Sequence, residues 1–131
     1  EPTRAEPYEG GEIQSNVTAS TGTWSWTAQA PDMVDGAVFG MFVYRADWQN
    51  QPWLEFDFEF VGADTTRIEL AVHMGTADGR RVSNIESTVV ELGFDAALAS
   101  HRYEIVVTGQ EAIFRVDGFV VGSFDSSDLP G

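Results

Sequence analysis

The segment Glu55-Phe56-Asp57-Phe58-Glu59-Phe60 places an acid at every second position. In an extended strand successive side chains point to opposite faces, so Glu55, Asp57 and Glu59 share one face and Leu54, Phe56, Phe58 and Phe60 share the other. Adjacent residues on one face lie roughly 7 Å apart. Two full charges at that distance repel by about 2 kcal/mol at an effective dielectric of 20. No lysine or arginine stands between Asp47 and Asp64 to offset them. One use of such crowding is a glycosidase site, which needs two carboxyls of different protonation state around one sugar bond. Like charges held together raise the pKa of one member and keep an acid protonated at neutral pH. The bland alternative is an acidic edge strand that resists aggregation by its charge. Calcium would accept these oxygen ligands, but positions two apart on a strand rarely wrap one ion, so no metal site is expected.

The elements that must hold this strand are also strands. Thr23 to Ala28 alternates polar and apolar, Ala37 to Tyr44 is a nearly continuous apolar run that reads as a strand covered on both sides, and Trp53 to Val61 alternates again. Gly62-Ala63-Asp64 and the stretch Gly75 to Gly79 read as turns around a strand from Arg67 to Met74. Val89 to Leu92, Arg102 to Thr108 and Ala112 to Val116 follow, and Asp117-Gly118 before Phe119-Val120-Val121 is a two-residue hairpin signal. A single helical turn from Asp95 to Ser100 is the only helical piece expected. Eight or nine short strands without helices between them imply an all-β domain, an antiparallel sandwich or a closed barrel. Residues 1–11, rich in proline, glycine and glutamate, read as an extended lead-in to a domain over 12–131.

With 131 residues the chain suits one domain, and 43% hydrophobic with 12% aromatic residues supplies a core. The net charge of −14 argues against nucleic acid and against an anionic membrane surface. No apolar run reaches the roughly 18 residues of a membrane helix. The lack of cysteine removes disulfides, thiolate zinc sites and thiol nucleophiles. All seven basic residues are arginine, which fits a coding bias or adaptation to a salty medium. No signal peptide is visible, though a mature chain would have lost one.

Glu55-Phe56-Asp57-Phe58-Glu59-Phe60-Val61-Gly62 resembles the active-site strand of glycoside hydrolase family 16, in the branch of bacterial lichenases, succinoglycan glycanases and plant xyloglucan transglycosylases. Ala63-Asp64-Thr65-Thr66-Arg67, Leu92-Gly93-Phe94-Asp95-Ala96, His101-Arg102-Tyr103 and Val116-Asp117-Gly118 follow in the family's order, so the likeness covers about residues 10 to 124. The resemblance implies a curved jelly-roll sandwich whose concave face binds a β-glucan-type polysaccharide, without a cofactor. It assigns Glu55 as nucleophile, Glu59 as acid and then base, and Asp57 as the group that hydrogen-bonds and tunes the nucleophile. The reaction would retain configuration, with the outer carboxyls about 5–5.5 Å apart.

By family position, Phe42, Tyr44 and Trp53 are candidates to pack on sugar rings, whose axial C–H faces are apolar. Trp24 and Trp26 read as packing residues, and Trp48 as a loop aromatic at the rim. Glu12 matches a sugar-binding glutamate, whereas Gln14 replaces an arginine. Glu69 stands where lichenases carry glutamine, Ala71 where they carry asparagine and His73 where they carry tyrosine, so Glu69 and His73 are candidate sugar contacts on an altered specificity surface. Family domains are longer, and an expected asparagine- and tryptophan-containing cleft strand is not found after Asp125, which suggests a partial domain. The expectation is a secreted, endo-acting retaining β-glycanase. The alternatives are a non-catalytic polysaccharide-binding or assembly module and, further off, an acidic structural domain.

Overall fold

A computed structural model describes residues 10–15, 19, 21–45, 54–75 and 81–125, and for 81–86 the backbone alone. Among the described residues alternation in the sequence becomes eight antiparallel strands: β1 (Gly22–Ala28), β2 (Val38–Tyr44), β3 (Leu54–Val61), β4 (Asp64–Gly75), β5 (Arg81–Glu91), β6 (His101–Val107), β7 (Glu111–Val116) and β8 (Phe119–Asp125). They form two four-stranded sheets, ordered β2-β3-β4-β5 and β1-β6-β7-β8. This is a sandwich of two sheets and not a closed barrel. The stretch expected to make a helical turn is an isolated turn, closed by Leu98 N–H to Asp95 O at 3.1 Å.

The phenylalanine side of β3 holds the sheets together. Phe58 and Phe60 are fully buried, and their rings meet the opposite sheet edge-on: Phe58 lies 5.6 Å from Tyr103 and 5.1 Å from Phe114, and Phe60 lies 5.7 Å from Tyr103. Ile68, Leu70 and Val72 of β4 and Ile105, Val116 and Phe124 of the other sheet complete the core. Each such side chain contributes on the order of 1.5–3 kcal/mol by leaving water. Because the stripe is committed to the core, the alternate residues of β3 must face outward.

Strand β2 departs from the expectation of cover on both sides. Phe39, Met41 and Val43 pair with the core residues Phe60, Phe58 and Phe56, whereas Val38, Gly40, Phe42 and Tyr44 share the outer face with the acids. Val38 is 60% exposed and Tyr44 39%. Residues of both faces of β2, Phe39, Met41 and Val43 as well as Val38, Phe42 and Tyr44, line a groove along the strand. Among the described residues β2 pairs only with β3 and β1 only with β6, and a groove of about 1330 Å³ opens between them. Trp24 and Trp26 line it and are half-buried, and Trp26 packs against the core.

The Asp117-Gly118 hairpin has φ of 51° and 85°, the left-handed pair that a two-residue turn of this kind requires. The β2–β3 end is set by a close approach instead. A Cβ added at Gly62 would lie 1.9 Å from the carbonyl oxygen of Val34, a backbone atom that cannot swing away. Gly62→Ala is therefore expected to cost about 1–3 kcal/mol, the range for overpacked sites, and to lower the urea midpoint without changing its slope. An unchanged midpoint would show that this loop yields freely.

Candidate active site

Strand register builds the outer face row by row. Glu55 lies between Tyr44 and His73, Asp57 between Phe42 and Ala71, and Glu59 between Gly40 and Glu69. Seven of the residues singled out from the sequence, Phe42, Tyr44, Glu55, Asp57, Glu59, Glu69 and His73, thus share one face of one sheet. Glu12 joins them indirectly: Gln14 donates from Nε2 to Glu12 Oε1, and Tyr44 donates its hydroxyl to Gln14 Oε1 at 3.0 Å. Trp53 and Trp48 lie outside the described residues.

Asp57 is the unusual member. It is only 2% exposed, although it sits on the outer face. Phe42 flanks it on one side, and Glu55 and Glu59 stand above and below it on the same strand. Burial, first of all, and then hydrogen bonding to and charge repulsion from Glu55 and Glu59 push its carboxyl from 3.8 up to about 9. The two oxygens have different surroundings. Oδ2 lies 2.6 Å from His73 Nε2, whereas Oδ1 is buried with no donor. The groups within hydrogen-bonding reach of Asp57 on its own strand are the carboxyls of Glu55 and Glu59, which are acceptors unless a proton is supplied. One proton on Asp57, donated to a glutamate, satisfies the buried oxygen and removes one of three adjacent charges.

His73 was a candidate for contact with sugar, and in the structure its Nε2 is engaged by Asp57. Sequence reasoning did not foresee this bond, because His73 is not the direct cross-strand neighbour of Asp57. It lies on the diagonal, two residues beyond Ala71. Diagonal neighbours about 7–8 Å apart are within reach of long side chains. Opposite Glu59 stands Glu69, a like-charge pair that a purely structural sheet avoids.

Donor atoms of Glu55, Asp57 and His73 all lie within 4.8 Å of one another, the closeness that a bound cation would need. The 2.6 Å separation of His73 Nε2 and Asp57 Oδ2 is a hydrogen bond, shorter than the roughly 3.3 Å between two ligands of a tetrahedral ion with bonds of about 2.0–2.1 Å. The observed spacing suits a shared proton better than a metal.

Comparison with known proteins assigns the chain to a family. The family model for glycosyl hydrolases family 16 matches residues 3–130. The chain belongs to this family. It is 33% identical over 121 residues to a Brevibacillus brevis protein named beta-glucanase, covering 91% of this chain and 44% of that one. A Bacillus subtilis (strain 168) beta-glucanase is 31% identical over 111 residues, 85% of this chain and 43% of the relative. Among solved structures, a Bacillus licheniformis beta-glucanase superposes with a TM-score of 0.70 at 27% identity, covering 88% of this chain and 50% of that one. A prokaryotic beta-1,3-1,4-glucanase (lichenase) derived from a mouse hindgut metagenome gives 0.70 at 25%, covering 88% and 50%. The fold is accordingly the all-β jelly-roll of this family-16 group, and the chain spans about half the length of the relatives it matches.

The raised pKa of Asp57 has a consequence for stability. Between its ordinary value and about pH 9 the folded state binds a proton that the unfolded state has released, so stability falls as pH rises through that window. Asparagine presents the same donor toward the glutamates and the same acceptor toward His73, with nothing to ionise. The melting temperature of Asp57→Asn relative to the unsubstituted protein is expected to climb steadily from about pH 4 to pH 9. A flat difference across that range would mean that Asp57 ionises as freely in the fold as outside it.

Proposed function

We propose that this chain supplies the catalytic strand of an endo-acting, retaining β-glycanase that hydrolyses a β-glucan-type polysaccharide by double displacement. The observation that carries the reading is the buried Asp57 carboxyl, on one strand face between Glu55 and Glu59, which together with burial push its pKa up. Glu55 and Glu59 flank Asp57 at alternate positions on one strand face, the arrangement of two carboxyls around one sugar bond, and retention calls for them to converge to about 5–5.5 Å.

In this mechanism Glu55 attacks the anomeric carbon as a carboxylate while Glu59 gives its proton to the departing glycosidic oxygen. A glycosyl ester forms at Glu55, and the shortened chain leaves as an alcohol. Glu59, now anionic, takes a proton from water, whose oxygen attacks the same carbon and releases Glu55. Asp57, protonated between them, donates a hydrogen bond to whichever glutamate is anionic, so negative charge moves along the strand without meeting a second fixed charge. Phe42 and Tyr44, with ring centroids 6.0 Å apart on the same face, offer apolar surface for sugar rings. Glu69 and Glu12 offer acceptors for hydroxyls. The beta-glucanase names of the relatives support a glucan substrate, and action on an external polymer suits a secreted protein.

The test is release of reducing ends from mixed-linkage β-glucan, xyloglucan and succinoglycan. Turnover is expected on at least one of them, with Glu55→Gln lowering kcat by at least about 10³-fold. Equal rates for Glu55→Gln and the unsubstituted protein would remove Glu55 from the nucleophile's role. Retention on immobilised glucan without any turnover would favour a binding module on the same fold.

A further inference from the structure

We infer that His73 is a positioning residue: by donating from Nε2 to Asp57 Oδ2, it commits Oδ1 of Asp57 to carry the proton shared with Glu55 and Glu59. The inference rests on the reading of those three acids as the catalytic set, but its own evidence is geometric. His73 Nε2 and Asp57 Oδ2 are 2.6 Å apart, and the two side chains are 16% and 3% exposed. Water therefore has little access to loosen the contact.

Two hydrogen arrangements fit that distance. In one, Nε2–H donates to Oδ2; in the other, a proton on Oδ2 is donated to a bare Nε2. The second leaves Oδ1, a buried atom without a donor, dependent on the Glu59 proton that the departing glycosidic oxygen requires. A buried acceptor left without a partner costs about 1–3 kcal/mol, before any like-charge repulsion is counted. In the first arrangement Oδ2 accepts from the imidazole and Oδ1–H donates to a glutamate. Every polar atom of Asp57 then has a partner. The choice of tautomer at His73 thus decides which way the Asp57 proton points.

Backbone structure places the imidazole for this role. The β4–β5 ladder pairs Val72 with Glu86 and Met74 with Val82, so three β5 residues, 83–85, stand opposite His73 alone. The extra residues belong to β5, and His73 itself keeps its place by direct pairing with Glu55 on β3. Across β3, the direct partner of Asp57 is Ala71, whose methyl is too short to reach a carboxylate, and this leaves the diagonal approach to His73. A carboxyl with an apolar methyl opposite it and no imidazole would be free to turn about its terminal torsion, which is broad for aspartate.

Two measurements test the inference. His73→Phe is expected to lower kcat by about tenfold or more with KM changed less than about twofold, and His73→Gln, which restores an N–H donor, to recover most of kcat. A rise in KM at constant kcat for His73→Phe would place the imidazole on the sugar and overturn the inference. A lower melting temperature with kcat untouched would reduce His73 to packing and overturn it equally. The second measurement needs no turnover. The chain has two histidines, so His73→Gln assigns by subtraction the 15N imidazole signals of the unsubstituted protein. At about pH 8, where an ordinary imidazole is neutral, His73 should be the Nε2–H tautomer, and an Nδ1–H tautomer would contradict the inference. Full activity in Glu55→Gln would instead sink the catalytic reading and leave the tautomer result standing.

Discussion

Withdrawing one carboxyl from water between two others is the constraint on which the site depends. Three acids in alternate positions of β3 repel one another by about 2 kcal/mol per neighbouring pair, and nothing in the surrounding strand sequence neutralises them. The opposite face makes the arrangement tolerable. Phe56, Phe58 and Phe60 are buried against both sheets, and their burial is worth several kcal/mol in sum. The same alternation that anchors the strand therefore holds the acids in place, because β3 cannot slip by one residue without exposing its phenylalanines.

Unequal surroundings then give chemically similar groups different tasks. Asp57 is shut in by Phe42 and its neighbours, while Glu55 and Glu59 remain partly open to solvent. Burial favours the neutral form of the central acid, and partial exposure leaves the outer two accessible to a substrate and to each other's proton through the middle one. Strand β4 adds a second layer of differentiation. It sets His73 beside the upper half of the triad and Glu69 beside the lower half, so the two ends of one acidic ladder meet a nitrogen base and a further carboxylate.

Much of this was legible in the sequence, for identifiable reasons. The period of two in residues 53–61 specifies both the extended conformation and the common face of the acids, and Asp117-Gly118 specifies a turn that only left-handed φ values can make. The register between β3 and β4 was not legible. Closing a simple two-residue turn at Gly62-Ala63 pairs Val61 with Asp64, and an unbroken ladder from there would set Asp57 against Ile68. An irregularity between Glu59 and Val61 shifts the pairing, so that Asp57 opposes Ala71. The shift is odd, which returns Ile68, Leu70 and Val72 to the core. It also carries His73 to the diagonal of Asp57. Turn chemistry alone points to the wrong partners, and only the apolar stripe of β4 demands the correction. The apolar run of β2 misled in the opposite direction, since hydrophobicity does not separate a covered face from a partly exposed one.

The central claim is that Asp57 holds a proton across the neutral range. A carbon-13 NMR titration of its side-chain carboxyl, between about pH 3 and pH 10, tests it most directly. The account predicts that the Asp57 signal stays in its protonated position through neutrality and moves near pH 9. A midpoint at the ordinary aspartate value of 3.8 would contradict it, because a buried Asp57 carboxylate would then stand beside the Glu55 carboxylate.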